Sequence, residues 1–407
     1  MSLNDTPKGE RIHIALFGRT NAGKSSLINA ITGQKLSIVS EVKGTTTDPV
    51  YKAMEILPLG PVMLVDTPGL DDTGTLGNER IRKAKSVLNK TDIALIVADG
   101  AQAAQDFSFE DSILFLTKEK KIPAITVLNK QDEWTGREEK ILSLGDICVS
   151  AKSGYHIQEL KEMIAKKVPS EEQTGKLIGD LLSPEDIVVL VVPIDSAAPK
   201  GRLILPQQQV IRDVLESGAA AVVCRDTELS ATLKKLGTKP RLVVTDSQAF
   251  AAVSQNTPDD IPLTSFSILF SRYKGDLAEQ IRGIRTVETL KDGDRILMAE
   301  GCTHHRQCDD IGTVKIPHWL QEYTGKKLVF ETSSGGGFPD DLSGYRLIVH
   351  CGGCTLPPRE MAFRIKEAKD QGIPIVNYGT LIAQLKGVLK RSIQPFADLG
   401  DLPGESI

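Results

Sequence analysis

Apolar residues fall in short unbroken runs along this chain, and amphipathic stretches fill the gaps between them. From Arg11 to about Val168, the runs RIHIALFG, PVMLVDTP, DIALIVADG and PAITVLNK predict buried strands, with DICVSA a shorter member. SSLINAIT, ERIRKAKSVLNK and HIQELKEMIAKKV carry their apolar residues at helical spacing. Buried strands alternating with amphipathic helices predict an open α/β sheet with helices on both faces. PSEEQTGK, from Pro169 to Lys176, is polar, contains Pro and Gly, and reads as a linker.

The same alternation continues beyond it without evident sequence duplication. From Leu177, LSPEDIVVLVVPID, ESGAAAVVCRD and KPRLVVTD predict three strands, with QQQVIRDVLE and ELSATLKKL as helices between them. So small a unit buries a modest core, and self-association is the expected remedy. A third unit begins between Pro262 and Asp276. Its strands are DRILMAEG, KKLVFETSSGGG, YRLIVHCGG and IPIVNYG, and its helices DDIGTVKIPHWLQEYTG and PREMAFRIKEAKDQG. This is again a parallel-sheet pattern.

Composition sets limits on these readings. The 407 residues correspond to two or three domains at roughly 150 residues each. With 49 Lys and Arg against 53 Asp and Glu, the formal net charge is −4, which argues against nonspecific binding to nucleic acid or anionic membrane. The longest apolar stretch, Ile187 to Ile194, is far short of the roughly 20 residues that span a bilayer. The opening MSLNDTPKGERIHIALFG has no apolar core before a cleavage site, so a cytoplasmic location is expected. Six cysteines in such a setting predict no disulfide framework. Cys148 and Cys224 sit in apolar runs and read as small buried hydrophobes. Cys302, Cys308, Cys351 and Cys354 instead fall in the last third, among histidines.

Gly18-Arg19-Thr20-Asn21-Ala22-Gly23-Lys24-Ser25 matches the phosphate-binding loop G-x-x-x-x-G-K-[ST], between a strand and a helix. Its backbone N–H groups and helix N-terminus suit phosphate oxygens. Asn21, Ala22, Gly23, Lys24, Ser25 and Ser26 are the expected contacts. Lys24 should reach the β- and γ-phosphates, and the Ser25 hydroxyl should bind Mg²⁺. Asp66-Thr67-Pro68-Gly69 ends a strand, where Asp66 can hold Mg²⁺ through water and the Gly69 N–H can sense the γ-phosphate. In Asn129-Lys130-Gln131-Asp132, the Asp132 carboxylate can accept from guanine N1 and N2, donors that adenine lacks. Ser150-Ala151-Lys152 resembles the loop that touches the guanine oxygen. All end strands on the ligand-binding edge of an α/β sheet, and together they predict GTP hydrolysis.

This set resembles the translation-factor-related GTPases of the Era and TrmE type, over roughly residues 8–170. Gly44-Thr45-Thr46-Thr47-Asp48 looks like their first switch, which implies that Thr46 binds Mg²⁺ and responds to the γ-phosphate. Leu70 stands where Ras-like proteins carry a water-orienting Gln, so slow intrinsic hydrolysis is expected. Asn21 matches the position that helps hold K⁺ in potassium-dependent members, which implies a K⁺ beside the phosphates; the alternative is a brace within the loop.

Cys302-Thr303-His304-His305 follows one strand of the third unit and His350-Cys351-Gly352-Gly353-Cys354 another, which spells C-x-H-x45-H-C-x-x-C. Both end strands of one predicted sheet, so a single crevice could collect them. The helix starting near Pro358 would turn a positive dipole end toward those thiolates. Three Cys and a His suit a tetrahedral structural zinc. Three thiolates with an exchangeable fourth position suit a [4Fe–4S] cluster. Any of His304, His305 and His350 could lie beside the metal rather than on it, and Cys308 reads as a loop residue outside the ligand set.

An Era-like GTPase, a middle unit containing GRLILPQQQVIRDVLE, and C-x-H…H-C-x-x-C together resemble the HydF family of [FeFe]-hydrogenase maturation GTPases, across essentially the whole chain. The resemblance implies a scaffold that carries a diiron precursor to apo-[FeFe]-hydrogenase, working beside radical-SAM maturases. It implies Cys302, Cys351 and Cys354 as cluster thiols, His304 and His350 as the family's histidines, and a homodimer formed through the middle domain. The expected architecture is α/β throughout: a P-loop GTPase domain over 8–170, a dimerisation domain over 177–262 and an iron–sulfur domain over 263–407, the two smaller domains with mainly parallel sheets. A competing function is an RNA- or ribosome-assembly GTPase with a zinc-stabilised tail. No basic stripe with interleaved aromatics supports it.

Overall fold

The computed structural model describes residues 6–33, 49–57, 59–69, 84–134, 141–168, 177–194, 203–301 and 310–396. The chain divides into two compact units, Met1–Gln173 and Thr174–Ile407.

The first unit holds a six-stranded sheet of β1 (Ile12–Phe17), β2 (Val50–Ile56), β3 (Gly60–Asp66), β4 (Ile93–Asp99), β5 (Ala124–Asn129) and β6 (Ile147–Cys148). Their spatial order is β2-β3-β1-β4-β5-β6, with only β2 antiparallel to its neighbour. Ile14, Leu16, Leu95 and Val97 pack on one face of the sheet, and Ala15, Phe17, Ala94 and Ile96 on the other. Continuous apolar runs are what a strand buried on both faces requires. β2 departs from that pattern. It alternates exposed and half-buried positions along the sheet edge, a period-2 signal between polar stretches that the search for apolar runs passes over.

The second unit contains two all-parallel four-stranded sheets. One comprises β7 (Ile187–Val191), β8 (Ala220–Cys224), β9 (Leu242–Thr245) and β10 (Leu263–Ser265), in the order β10-β9-β7-β8. The other comprises β11 (Arg295–Glu300), β12 (Val329–Ser334), β13 (Leu347–His350) and β14 (Ile375–Asn377), in the order β12-β11-β13-β14. Val188, Val189, Leu190 and Val191 are fully buried in the first of these, and each contributes roughly 1.5–3 kcal/mol, an upper range for such burial.

One hydrophobic core runs through both sheets, from Leu177 to Phe396. The helices Phe266–Lys274 and Leu277–Ile284 supply its middle with Ile268, Leu269, Phe270 and Ile281. The first lies in the stretch between Pro262 and Asp276 where the sequence suggested a boundary, the second directly follows it, and β10, just past residue 262, belongs to the earlier sheet. Arg391 adds a polar tie, donating to the carbonyls of Ser254, Thr257 and Pro258. Among the described residues no helix is long and apolar enough to cross a membrane.

Candidate functional site

The phosphate-binding loop follows β1 and opens the helix Lys24–Thr32. Gly23 caps that helix in the left-handed region, at φ 91°, and a Cβ there would collide with Asn129. Asn21 also takes a positive φ, 64°. Lys24 is buried, and its Nζ donates to the Gly18 and Arg19 carbonyls at 2.9 Å each, so the ammonium stands inside the loop. The Ser25 hydroxyl donates to Asp66 Oδ2 at 2.5 Å. Two of the three predicted Mg²⁺ contacts, Ser25 from the loop and Asp66 from the end of β3, are thus together. Burial raises the Asp66 carboxyl above its ordinary range, against lowering by Ser25, Lys24 and Lys52. Gly69 lies against Thr20, with no room for a side chain between them.

The base-reading segments converge beside this loop. Asn129 Nδ2 donates to the Ala22 carbonyl at 3.0 Å, while its Oδ1 accepts from the Ala151 N–H at 3.1 Å. One side chain thereby fixes the phosphate loop to the Ser150-Ala151-Lys152 segment. Asp132 Oδ1 accepts from the Ser150 hydroxyl at 2.5 Å, and Oδ2 lies 3.6 Å from Lys152 Nζ. Ser150 above all, with Lys152 adding, holds this carboxyl below its usual range and therefore ionised at neutral pH. A cavity of about 510 Å³ is lined by Ser26, Asn129, Lys130, Asp132, Ala151 and Lys152.

Several braces were not legible beforehand. Lys130 Nζ donates to Asp99 Oδ2 at 2.8 Å. Arg19 pairs with Asp106 at 2.8 Å and with the buried Glu110 at 3.4 Å, with its guanidinium 5.8 Å from the Phe109 ring centre. Asp99, an acidic residue closing the apolar run of β4, is the only sequence signal among them. The first switch with Thr46, as well as Leu70, lies outside the described residues.

A second group of candidate residues gathers at the C-terminal edge of the sheet β12-β11-β13-β14. Ala299 of β11 pairs with His350 of β13, and the Cys351 N–H donates to the Ala299 carbonyl at 2.9 Å. The Gly301 N–H, one residue on from β11, donates to Cys351 Sγ at 3.0 Å. Such a donor favours the thiolate form. The chain therefore leaves Gly301 toward Cys302 while touching the sulfur of Cys351. Gly353, at φ 63°, turns the C-G-G-C segment. Lys274 Nζ, buried at the end of its helix, donates to the carbonyls of Cys354 at 2.9 Å and Leu356 at 3.0 Å.

His350 is fully buried. Its Nδ1 lies 2.7 Å from the Cys351 carbonyl and its Nε2 3.1 Å from Arg364 Nη1. A guanidinium only donates, so Nε2 accepts and Nδ1 carries the proton. Burial, and then Arg364, lowers the imidazole to about 3. Arg364, itself fully buried, pairs with Glu360 at 2.9 Å and donates to the Gly335 carbonyl, which joins the glycine loop after β12 to the same edge. Cys302, His304, His305 and Cys308 lie outside the described residues. Among the described residues, no three metal-binding side chains converge.

Three protein families match successive parts of the chain. The family described as "50S ribosome-binding GTPase" matches residues 13–130. "Hydrogen maturase F dimerization domain" matches 177–275 and "Hydrogen maturase F tetramerization domain" 278–395. The tRNA modification GTPase MnmE of Heliobacterium modesticaldum is 36% identical over 168 residues, 39% of this chain and 35% of that protein. GTPase Der of Wolinella succinogenes is 37% identical over 169 residues, 38% of this chain and 35% of that protein. The chain thus spans about a third of the length of these curated relatives. Among solved structures, Aquifex aeolicus Era bound to GDP and aluminium fluoride is 22% identical, with a TM-score of 0.34 over 52% of this chain and 92% of that one. The first unit is a GTPase domain, and since the two regions that follow it both match hydrogen maturase F, one directly after the other, the chain belongs to the hydrogen maturase F (HydF) family.

Proposed function

We propose that this protein is a GTP-hydrolysing scaffold of [FeFe]-hydrogenase maturation, which holds a [4Fe–4S] cluster and a diiron precursor and delivers the precursor to apo-hydrogenase. In this reading radical-SAM maturases supply the precursor, residues 177–262 form the homodimer contact, and residues 263–407 carry the cluster. The observation that carries it is the Gly301 N–H on the Cys351 sulfur, which brings the chain leading to Cys302 against the C-x-x-C turn. The donor set suits a cluster: two thiols on one turn, a backbone donor on one of them, and a buried ammonium on the same turn. Cys302, Cys351 and Cys354 would hold it, with His304 and His350 close by. Bound there, it would supply an iron open to an exchangeable ligand.

The nucleotide site acts separately. Lys24 neutralises phosphate charge within the loop, Ser25 and Asp66 hold Mg²⁺, and Asp132 selects guanine. Thr46 and the Gly69 N–H report the γ-phosphate, so hydrolysis releases both switches and changes partner affinity. Held by Ser25 and Asp66, Mg²⁺ would supply Lewis-acid withdrawal of charge from the phosphate oxygens, and K⁺ beside Asn21 would add the positive charge an arginine finger supplies elsewhere. The test is activation of apo-hydrogenase by anaerobically loaded protein. Wild type should activate it, and Cys351→Ala should not. Full activation by Cys351→Ala would rule the scaffold role out.

A further inference from the structure

Asn377 ends β14 in register with His350, the residue that precedes Cys351 on the neighbouring strand. It is fully buried. Its Oδ1 accepts from the Gly379 N–H at 2.6 Å and from the Ser267 hydroxyl at 2.7 Å. A backbone N–H only donates, so the oxygen is the atom that faces Gly379, and the other end of the amide is its NH₂ group. Among the described residues that Nδ2 has no hydrogen-bond partner. A buried donor left unmade costs about 1–3 kcal/mol. Capping the helix Tyr378–Leu385 does not require it, because serine, threonine or aspartate would accept from the same N–H with no amide to satisfy. Ser267, which fixes the oxygen, is also the first side chain that a Cβ on Gly352 would meet, at 3.5 Å. The amide is thus anchored beside the C-G-G-C turn, on the strand-end edge where α/β sheets take their ligands.

Resting on the cluster reading above, we propose that Asn377 is a positioning donor of the cysteine edge, whose Nδ2 donates a hydrogen bond to an anionic sulfur of the thiolate-bound cluster. Sulfur at this edge accepts such bonds, as Cys351 Sγ does from the Gly301 N–H. They strengthen when the cluster gains an electron, because reduction raises the negative charge that its sulfurs share. No covalent bond is made or broken in that step, and a low-potential chemical reductant supplies the electron. Hydrogen bonds to the sulfurs therefore raise the reduction potential. Asn377 holds it above the value that the thiolates and Gly301 alone would give.

The experiment uses full-length protein, reconstituted anaerobically with iron and sulfide, as wild type, Asn377→Ser, Asn377→Thr, Thr380→Val and Cys354→Ala. Folding is followed by circular dichroism and the cluster by a redox titration of its reduced-state EPR signal. Asn377→Ser keeps an oxygen for the Gly379 N–H, and its shorter hydroxyl ends where the amide carbon was, so its midpoint should fall to more negative potential. Asn377→Thr gives the same reading should the Ser variant not fold. Thr380 closes the same helix start, accepting from the Asn377 N–H at 3.1 Å. Thr380→Val should loosen that start and leave the midpoint at the wild-type value. A wild-type midpoint in a cluster-loaded Ser or Thr variant would overturn the proposal, as would an equal fall in Thr380→Val, and either would leave the cluster assignment standing. Failure of the assignment itself looks different, since wild type would then take up no cluster or Cys354→Ala would keep it.

Discussion

In the proposed reading base choice resides at Asp132, whose carboxylate is held ionised by Ser150 and Lys152 and lines the cavity beside the phosphate loop. Two charge-assisted bonds to N1 and N2 are lost if the carboxylate becomes an amide. Asp132→Asn should therefore lower kcat/KM for GTP about 100-fold, or more, and raise it for xanthosine triphosphate. Steady-state kinetics with both nucleotides decide this, and an unchanged preference would refute the assignment. Asn21, in its left-handed conformation, carries the K⁺ expectation: hydrolysis should run faster in K⁺ than in Na⁺ at equal ionic strength, and equal rates would reduce Asn21 to a loop brace. At this scale the motif residues were legible because nucleotide chemistry dictates their type and spacing. Their braces were not. Asp106 and Glu110 are ordinary acidic residues until the fold sets Arg19 against them, and Asp99 signals itself only by closing an apolar run.

Among elements, the interior strands were readable because burial on both faces leaves an uninterrupted apolar run. β2 was missed because it is an antiparallel edge with one side in solvent. The helix Ser108–Glu119 was missed for a related reason: its apolar residues do not keep to one face, and Phe115 is 68% exposed. The third sheet's edge depends on Arg364, which ties β13, the loop after β12 and the helix Pro358–Asp370 together. Arg364→Met would leave Glu360 buried and unpaired, and should cost about 3–5 kcal/mol in the unfolding free energy of the second unit. Adding Glu360→Met should recover much of that loss. Urea unfolding of the wild type and these two variants measures it, and equal midpoints would mean the ion pair contributes nothing. His350 was expected near the metal by its spacing alone. That it bridges Arg364 and the Cys351 carbonyl depends on an arginine fourteen positions away on a helix, which spacing does not disclose.

Across the whole molecule, GTP chemistry and the cysteine edge belong to different compact units. Lys24→Ala should abolish hydrolysis and leave iron content intact; loss of iron in that variant would show that the two sites are not separable. The single core running from Leu177 to Phe396 explains why the boundary near 262 was hard to read: Ile268, Leu269, Phe270 and Ile281 of the helices there are buried in the core that both sheets share. A fragment cut at that point would expose part of this core, so tests belong on the full chain. The central claim is that Cys302, Cys351 and Cys354 hold an iron–sulfur cluster. Its most direct test is metal and acid-labile sulfide analysis of the full-length protein purified and reconstituted anaerobically, beside the three single Cys→Ala variants. Iron and sulfide in the equal ratio of a [4Fe–4S] cluster, with most of both lost in each variant, is the predicted result; stoichiometric zinc without sulfide would contradict it.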